Sequence, residues 1–162
     1  MNPNTHSFRC QGFTLIEVVI AVLVLAIAVP PTLNLMDTAA AGRVDAINTT
    51  RATMMATRVI ESVLADLSSS DPSLGFDALA DSNAYLNTPS TGLVARLSSM
   101  LSPYTDAGFT YSVDISDLVD ETGSVSADAN DNIFRIVTVR VGFTSANSAS
   151  YQLPVSIMVS AI

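Results

Sequence analysis

The residue whose surroundings most specifically point to chemistry is Glu17, a single acid at the head of an apolar run. From Val18 to Met36, nineteen consecutive residues carry no charge, and most of them are Val, Ile, Leu or Ala. At about 1.5 Å per helical residue the run spans roughly 28 Å, close to the hydrocarbon thickness of a bilayer. A carboxylate at that depth costs on the order of 2.5–3.5 kcal/mol, so Glu17 should have a partner.

A cut between Gly12 and Phe13 would create such a partner. The new α-amino group would lie four residues before Glu17 on the same helix, where the two charges could pair within one chain. The amino group of a second subunit could pair with Glu17 as well. That second arrangement would join subunits and predicts an assembly device.

The hexapeptide Gly12-Phe13-Thr14-Leu15-Ile16-Glu17, with a short polar leader before it and a hydrophobic helix after it, resembles the prepilin signal of type IV pilins and type II secretion pseudopilins. The resemblance extends to about Val29. It implies cleavage after Gly12 by a prepilin peptidase and N-methylation of Phe13. It also implies that Glu17 neutralises the Phe13 amine of a neighbouring subunit in a helical filament.

Two other interpretations of the N-terminus stay open. Ala26-Ile27-Ala28 satisfies the small-x-small pattern of an ordinary secretory signal, which would release a periplasmic or secreted binding module, with or without a dependence on calcium. An uncleaved anchor would instead hold a signalling or scaffold domain at the membrane. Glu17 inside the apolar region and Pro30-Pro31 directly after the cut count against the ordinary signal.

Composition argues against an enzyme and against a nucleic-acid binder. The chain has a net charge of −8 and no Lys. From Phe13 onward it has six Arg and fifteen Asp or Glu, which gives a formal charge of −9. Phosphate contacts need clustered cations, which this composition does not supply. The single His6 and the single Cys10 both lie in the leader, so the processed chain would lack the usual nucleophile pairs, zinc ligands and any disulfide.

The pattern of the chain predicts an α+β, pilin-like fold: a long N-terminal α-helix, membrane-spanning in its first half, packed on a small antiparallel sheet of about three strands. We divide it into a leader (1–12), a transmembrane or filament-core helix (13–36), the amphipathic half of that helix (37–70) and a globular part (71–162). The helix is expected to run from Phe13 to Leu67. Pro30-Pro31 should kink it or open one turn.

The amphipathic half predicts both a buried stripe and a solvated side. Arg43, Arg51 and Arg58 share one side, which is either solvated or in contact with acidic surfaces of neighbouring subunits. Asp45, Glu61 and Asp66 are expected in the solvated part, and Arg58 is expected to pair with Glu61. The helical spacing predicts a buried stripe at these positions: Ile47, Met54, Ala56, Ile60, Val63, Leu64 and Leu67.

Between residues 71 and 108 the spacing predicts one short helix over Leu93–Leu101, which Thr91 could cap. Strict alternation then predicts three strands, starting near Phe109, Ile133 and Tyr151. The short turn at 145–150 predicts that the last two strands form a hairpin. Pro154 predicts that the final strand lies at an edge of the sheet or bulges there.

One acidic segment could bind a metal. Asp128, Asn130 and Asp131 resemble part of an oxygen-rich calcium loop, because Ca²⁺ takes six to eight such ligands. The segment lacks the Gly and the terminal Glu of an EF-hand, and a solvated Asx-rich turn explains the same residues. No other cofactor is expected.

Together these patterns predict a minor pilin or pseudopilin, a non-enzymatic subunit of a type IV pilus or a type II secretion pseudopilus. Its expected partners are other pilin subunits, the prepilin peptidase, an inner-membrane assembly platform and membrane lipid. The expected location is the inner membrane, single-pass with the C-terminal domain in the periplasm, followed by the filament. The residues do not distinguish a pilus from a secretion or a DNA-uptake machine.

Overall fold

The computed structural model describes residues 13–69, 71 and 73–161. These residues fall into two compact units that are divided between Ala40 and Ala41. We call the second, which begins at Ala41, the globular unit. The predicted leader, with Gly12, lies outside the described residues. The functional boundaries 1–12, 13–36, 37–70 and 71–162 stay predictions.

The first element is helix α1, Leu15–Leu67, which agrees with the expected helix within two residues at its start. The chain stays α-helical at Pro30 and Pro31, so no turn opens there, and the kink that the sequence predicts as the other outcome stays a prediction. Each proline removes one backbone donor, but α-helical structure on both sides continues through the pair. In the first unit every described residue is exposed.

Three short helical elements follow α1 in the second unit. They are a 3₁₀-helix at Phe76–Ala80, helix α2 at Ser82–Asn87 and helix α3 at Leu93–Thr105. Only α3 is predicted by the sequence pattern. Asp81 is the N-cap of helix α2, and its side chain accepts a hydrogen bond from Ala84 N.

The start of α3 corrects the predicted cap. Gly92, not Thr91, is the residue before the helix, and no side chain caps it. The carbonyl of Thr91 instead accepts a hydrogen bond from Arg96 Nε at 2.9 Å. A Cβ atom on Gly92 would lie 2.7 Å from Leu86 O and Thr88 N, so only glycine fits this junction.

The sheet has three antiparallel strands in the order β1-β2-β3: Thr110–Ile115, Phe134–Thr144 and Ser150–Ser160. Val139 of the central strand lies opposite Val113 and Val155. The predicted hairpin and the edge position of Pro154 are confirmed. A short 3₁₀-helix, Ala129–Asp131, lies in the connection between β1 and β2.

One face of the sheet packs with the second part of α1 and with α3, so the predicted α+β architecture is confirmed. On β2 the odd-numbered residues from Arg135 to Phe143 are buried, which is the period of two expected for a strand. The core draws on all these elements, and its α1 members are Ala52, Met55, Ala56, Val59, Ile60 and Val63.

The buried stripe of α1 differs from the predicted one. Ile47 and Met54 are about half exposed, at 52% and 53%, and Leu64 is 44% exposed, whereas Ala52 and Met55 are buried. Ala56, Ile60 and Val63 of the predicted stripe are buried as expected. Arg58 and Glu61 form no ion pair in the described residues, which corrects the expected pair.

Candidate functional site

The first turn of α1 positions Glu17. Thr14 lies just before the helix; its Oγ1 accepts a hydrogen bond from Glu17 N at 3.4 Å, and its carbonyl accepts one from Val18 N at 3.2 Å. Thr14 thus acts as the N-cap, and Thr14-x-x-Glu17 has the spacing of a capping box. An acid in the first turn also interacts favourably with the helix dipole. The sequence analysis missed this cap, although Thr three residues before Glu is its signal.

The carboxylate of Glu17 has no ion-pair partner within residues 13–69, 71 and 73–161. Arg43 is the next basic residue along the sequence, twenty-six positions later and beyond side-chain reach in a helix. Phe13, the residue after the predicted cut, is 80% exposed. An amine at Phe13 is therefore the nearest cation that a processed chain could bring to this level of the helix.

The residues after Glu17 form an apolar surface that nothing in the first unit covers. Val22, Ile27 and Leu35 are each at least 60% exposed, and the other large apolar side chains up to Met36 are about half exposed or more. Among the described residues, α1 is the one helix long and apolar enough to cross a membrane. Apolar surface of this extent marks contact with a membrane or with other protein.

One family model matches the N-terminal part of the chain. Residues 7–29 match the family model described as the prokaryotic N-terminal methylation motif. The chain carries this methylation motif. It is the N-terminal signal of type IV pilins and pseudopilins, so the predicted resemblance is confirmed and the chain is type IV pilin-like at this end. No curated protein and no solved structure gave a match.

The methylation motif covers the predicted cleavage site, Phe13 and Glu17, together with the apolar part of α1 up to Val29. Proteins with this signal are structural subunits, and an apolar N-terminal helix fits their membrane anchoring. Gly12 lies within the motif and outside the described residues. The roles of Gly12, Phe13 and Glu17 in processing and assembly stay predictions.

The predicted calcium residues lie in the connection between β1 and β2, where their side chains bond within the loop. Asp128 Oδ1 accepts hydrogen bonds from the backbone N and the side-chain Nδ2 of Asn130, both at 2.9 Å. Asp131 Oδ2 accepts one from Ser126 Oγ at 3.2 Å. The described residues contain no group of three acidic, His or Cys side chains placed to hold a metal. The calcium site stays a prediction.

The globular unit contains one buried charged cluster that the sequence analysis missed. Asp66, expected in the solvated part of α1, is only 6% exposed. Arg96 of α3 forms a two-pronged ion pair with it, with NH1 to Oδ1 at 2.7 Å and NH2 to Oδ2 at 2.5 Å. The hydroxyl of Tyr85 in α2 donates to Oδ2 at 2.6 Å. The cluster therefore ties three helices together.

The electrostatics of the cluster follow from its burial. Burial, and then the hydrogen bond to Asp66, raises the pKa of Tyr85 well above its usual value. The hydrogen bond to Asp66 likewise raises the pKa of Arg96. Both shifts favour a neutral phenol and a charged guanidinium. The signal in the sequence was that Asp66 falls on the same helical face as Val59 and Val63.

Proposed function

We propose that this protein is a minor pilin or pseudopilin, a non-enzymatic structural subunit that enters a type IV pilus or a type II secretion pseudopilus. The observation that supports the proposal is the position of Glu17. It is the only acid within the methylation motif, it lies in the first turn of an apolar helix, and it has no ion-pair partner among the described residues.

The proposed mechanism begins with processing. A prepilin peptidase cleaves after Gly12, and the new amine of Phe13 is methylated. The amine stays cationic after methylation, so it remains a counter-ion for a carboxylate. The apolar helix then holds the subunit in the inner membrane, with the globular unit in the periplasm.

Assembly then follows from the cost of an unpaired carboxylate in an apolar environment. Insertion of the Glu17 carboxylate to that depth without a partner costs on the order of 2.5–3.5 kcal/mol. The Phe13 amine of a neighbouring subunit offsets that cost when two helices align at the right height. The ion pair would thus select the axial position of each new subunit as it leaves the assembly platform.

The site of cleavage tests the proposal directly. Mass spectrometry of the protein purified from its native membrane should give an N-terminal methyl-Phe13. A terminus at Val29 would indicate release of a binding module by an ordinary signal peptidase. An intact leader would indicate a permanent anchor; either result contradicts the proposal.

Substitution of Glu17 tests the mechanism. In Glu17→Ala the amine of the neighbour would lose its counter-ion, so we expect processing to continue and the amount of protein in sheared filaments to fall about tenfold or more. Glu17→Gln keeps the size of the side chain without its charge and should fall as far. Asp37→Ala removes the next acid of α1 and serves as the control. Normal filament entry of Glu17→Gln would contradict the proposed ion pair.

A further inference from the structure

The arginines of the globular unit divide into two groups. Arg96 and Arg140 each form an ion pair with an Asp of the same chain, and Arg135 is buried with a hydrogen bond to Ser116 O. The other three arginines of the unit lie on α1, are exposed and form no ion pair in the described residues: Arg43, Arg51 and Arg58.

These three arginines belong to one continuous stripe. The stripe is formed by Arg43, Ile47, Arg51, Met54 and Arg58, whose spacings of four, four, three and four residues keep them on one face of a helix. We call it the Arg face; it extends over about 22 Å. Ile47 and Met54 are about half exposed on it, and apolar and Arg side chains together are typical of interface cores.

The connection between β1 and β2 has the opposite character. Residues 116–133, which we call the acidic connector, contain five acids and no basic residue. A cleft of about 430 Å³ in it is lined by Asp120, Glu121 and Asp131 together with the apolar Ile133. Ile133 is 54% exposed and Val125, also in the connector, is 73% exposed.

We propose that the Arg face of one copy of this chain binds the acidic connector of a second copy. Each surface carries apolar side chains between charges, and the charges are of opposite sign, which favours this pairing over like with like. Every unpaired cation of the Arg face is an arginine, which can bind carboxylates through two parallel hydrogen bonds.

The geometry of such a contact agrees with a filament. The two surfaces are different parts of one chain, so the contact is head-to-tail and a bound pair leaves one Arg face and one acidic connector free. Repetition of a head-to-tail contact builds an open helical assembly unless the rotation closes a ring. The inference rests on the proposed function and adds to it the surface that joins consecutive globular units.

Cysteine cross-linking in the native membrane and filament tests the contact. All variants carry Cys10→Ser, so that introduced thiols are the only ones in the chain. A copy with Met54→Cys is produced together with a tagged copy that carries Val125→Cys, and an oxidant is added. We expect a mixed disulfide-linked dimer. The control replaces Val125→Cys by Ser99→Cys, an exposed position of α3, and should give no more than background.

Charge reversal tests whether the mixed dimer depends on the charges of the two surfaces. Arg51→Glu on the Met54→Cys copy should lower the yield of the mixed dimer about tenfold, as should Glu121→Arg on the Val125→Cys copy. The two reversals together should restore most of the yield. A yield equal to that of the Ser99→Cys control, or one that charge reversal does not change, would overturn the contact.

The terminus of the same samples separates the two proposals. If the mature protein starts at Phe13 and enters filaments without the mixed dimer, the contact is wrong and the proposed function stands. If the protein starts elsewhere, the proposed function is wrong and the contact is overturned with it. A mixed dimer that responds to both reversals, in protein that starts at Phe13, supports both.

Discussion

At the scale of single residues, Asp66 is the buried acceptor of the charged cluster in the globular unit. Its carboxylate is buried and receives hydrogen bonds from Arg96 and Tyr85, which belong to two other helices. A buried acceptor of this kind stabilises the fold only as long as its partners stay in place, because each partner is itself a polar group removed from water. The Arg140–Asp114 pair of the sheet is by contrast exposed on both sides.

We expect Asp66→Asn to lower the free energy of unfolding by about 1–3 kcal/mol, because the neutral amide weakens the bonds to both partners. Asp114→Asn removes the exposed pair and should cost only about 0–1 kcal/mol. Denaturant unfolding of the full-length protein in detergent, followed by circular dichroism, measures both. Equal losses for the two variants would contradict a stabilising role for the buried cluster.

Glu17 takes part in the local structure at the start of α1 as well as in the proposed assembly. The hydrogen bond from Glu17 N to Thr14 Oγ1 defines where α1 begins, and it places the carboxylate in the first turn. A defined start is useful for a residue whose proposed partner lies on another chain, since the height of the charge along the helix is then set.

At the scale of elements, the junction between α2 and α3 depends on glycine. Gly92 donates a hydrogen bond to Thr88 O at 2.8 Å, and the backbone of Leu86 and Thr88 lies where a Cβ atom would have to fit. Backbone atoms cannot move aside as the end of a flexible side chain can. The close approach is what lets α3 begin directly after the turn that follows α2.

The same substitution at two glycines should therefore have opposite effects. Gly92→Ala should lower the free energy of unfolding by about 1–3 kcal/mol, because the new methyl group meets the backbone. Gly42→Ala, in α1 with nothing within 4 Å of the new atom, should raise it by about 0.5–1 kcal/mol. Thermal unfolding of the two variants side by side is the measurement. A Gly92→Ala variant as stable as Gly42→Ala would contradict the close approach.

At the scale of the whole molecule, the buried Tyr85 and the partly buried Tyr111 link stability to pH. Burial raises the pKa of Tyr85 and Tyr111 above the usual value for tyrosine. In the unfolded chain both phenols lose their protons near pH 10. Above that pH the unfolded chain binds fewer protons than the folded one, so the free energy of unfolding falls as pH rises.

We therefore expect the denaturant midpoint of the full-length protein to be steady between about pH 7 and pH 9 and to fall progressively above about pH 10. Tyr85→Phe should flatten that fall, since it removes the phenol beside Asp66. Tyr151→Phe, at a phenol that is 53% exposed, is the matched control variant. A midpoint that is the same at pH 8 and pH 11 would show that these phenols do not contribute.

Much of the fold follows from patterns that are local in the sequence. The methylation motif, the apolar part of α1 and the alternation of β2 depend on residues that are close neighbours along the chain, where the period of the element sets which side chains share a face. The order of the sheet follows from a short hairpin turn and from Pro154, which cannot donate to a neighbour. These predictions needed no knowledge of distant contacts; the family match confirms the motif, and the structure confirms the helix and the strands.

The sequence by itself thus determined the N-terminal signal, the uncharged helix with Glu17 at its head and the antiparallel order of the strands. Only the tertiary structure decided that Asp66 is buried and that Ile47 and Met54 face outward. Tyr85 and Arg96 lie nineteen and thirty positions from Asp66, so no spacing within α1 could reveal them. A helix has residues on every side, and which side is buried depends on the surfaces that pack against it.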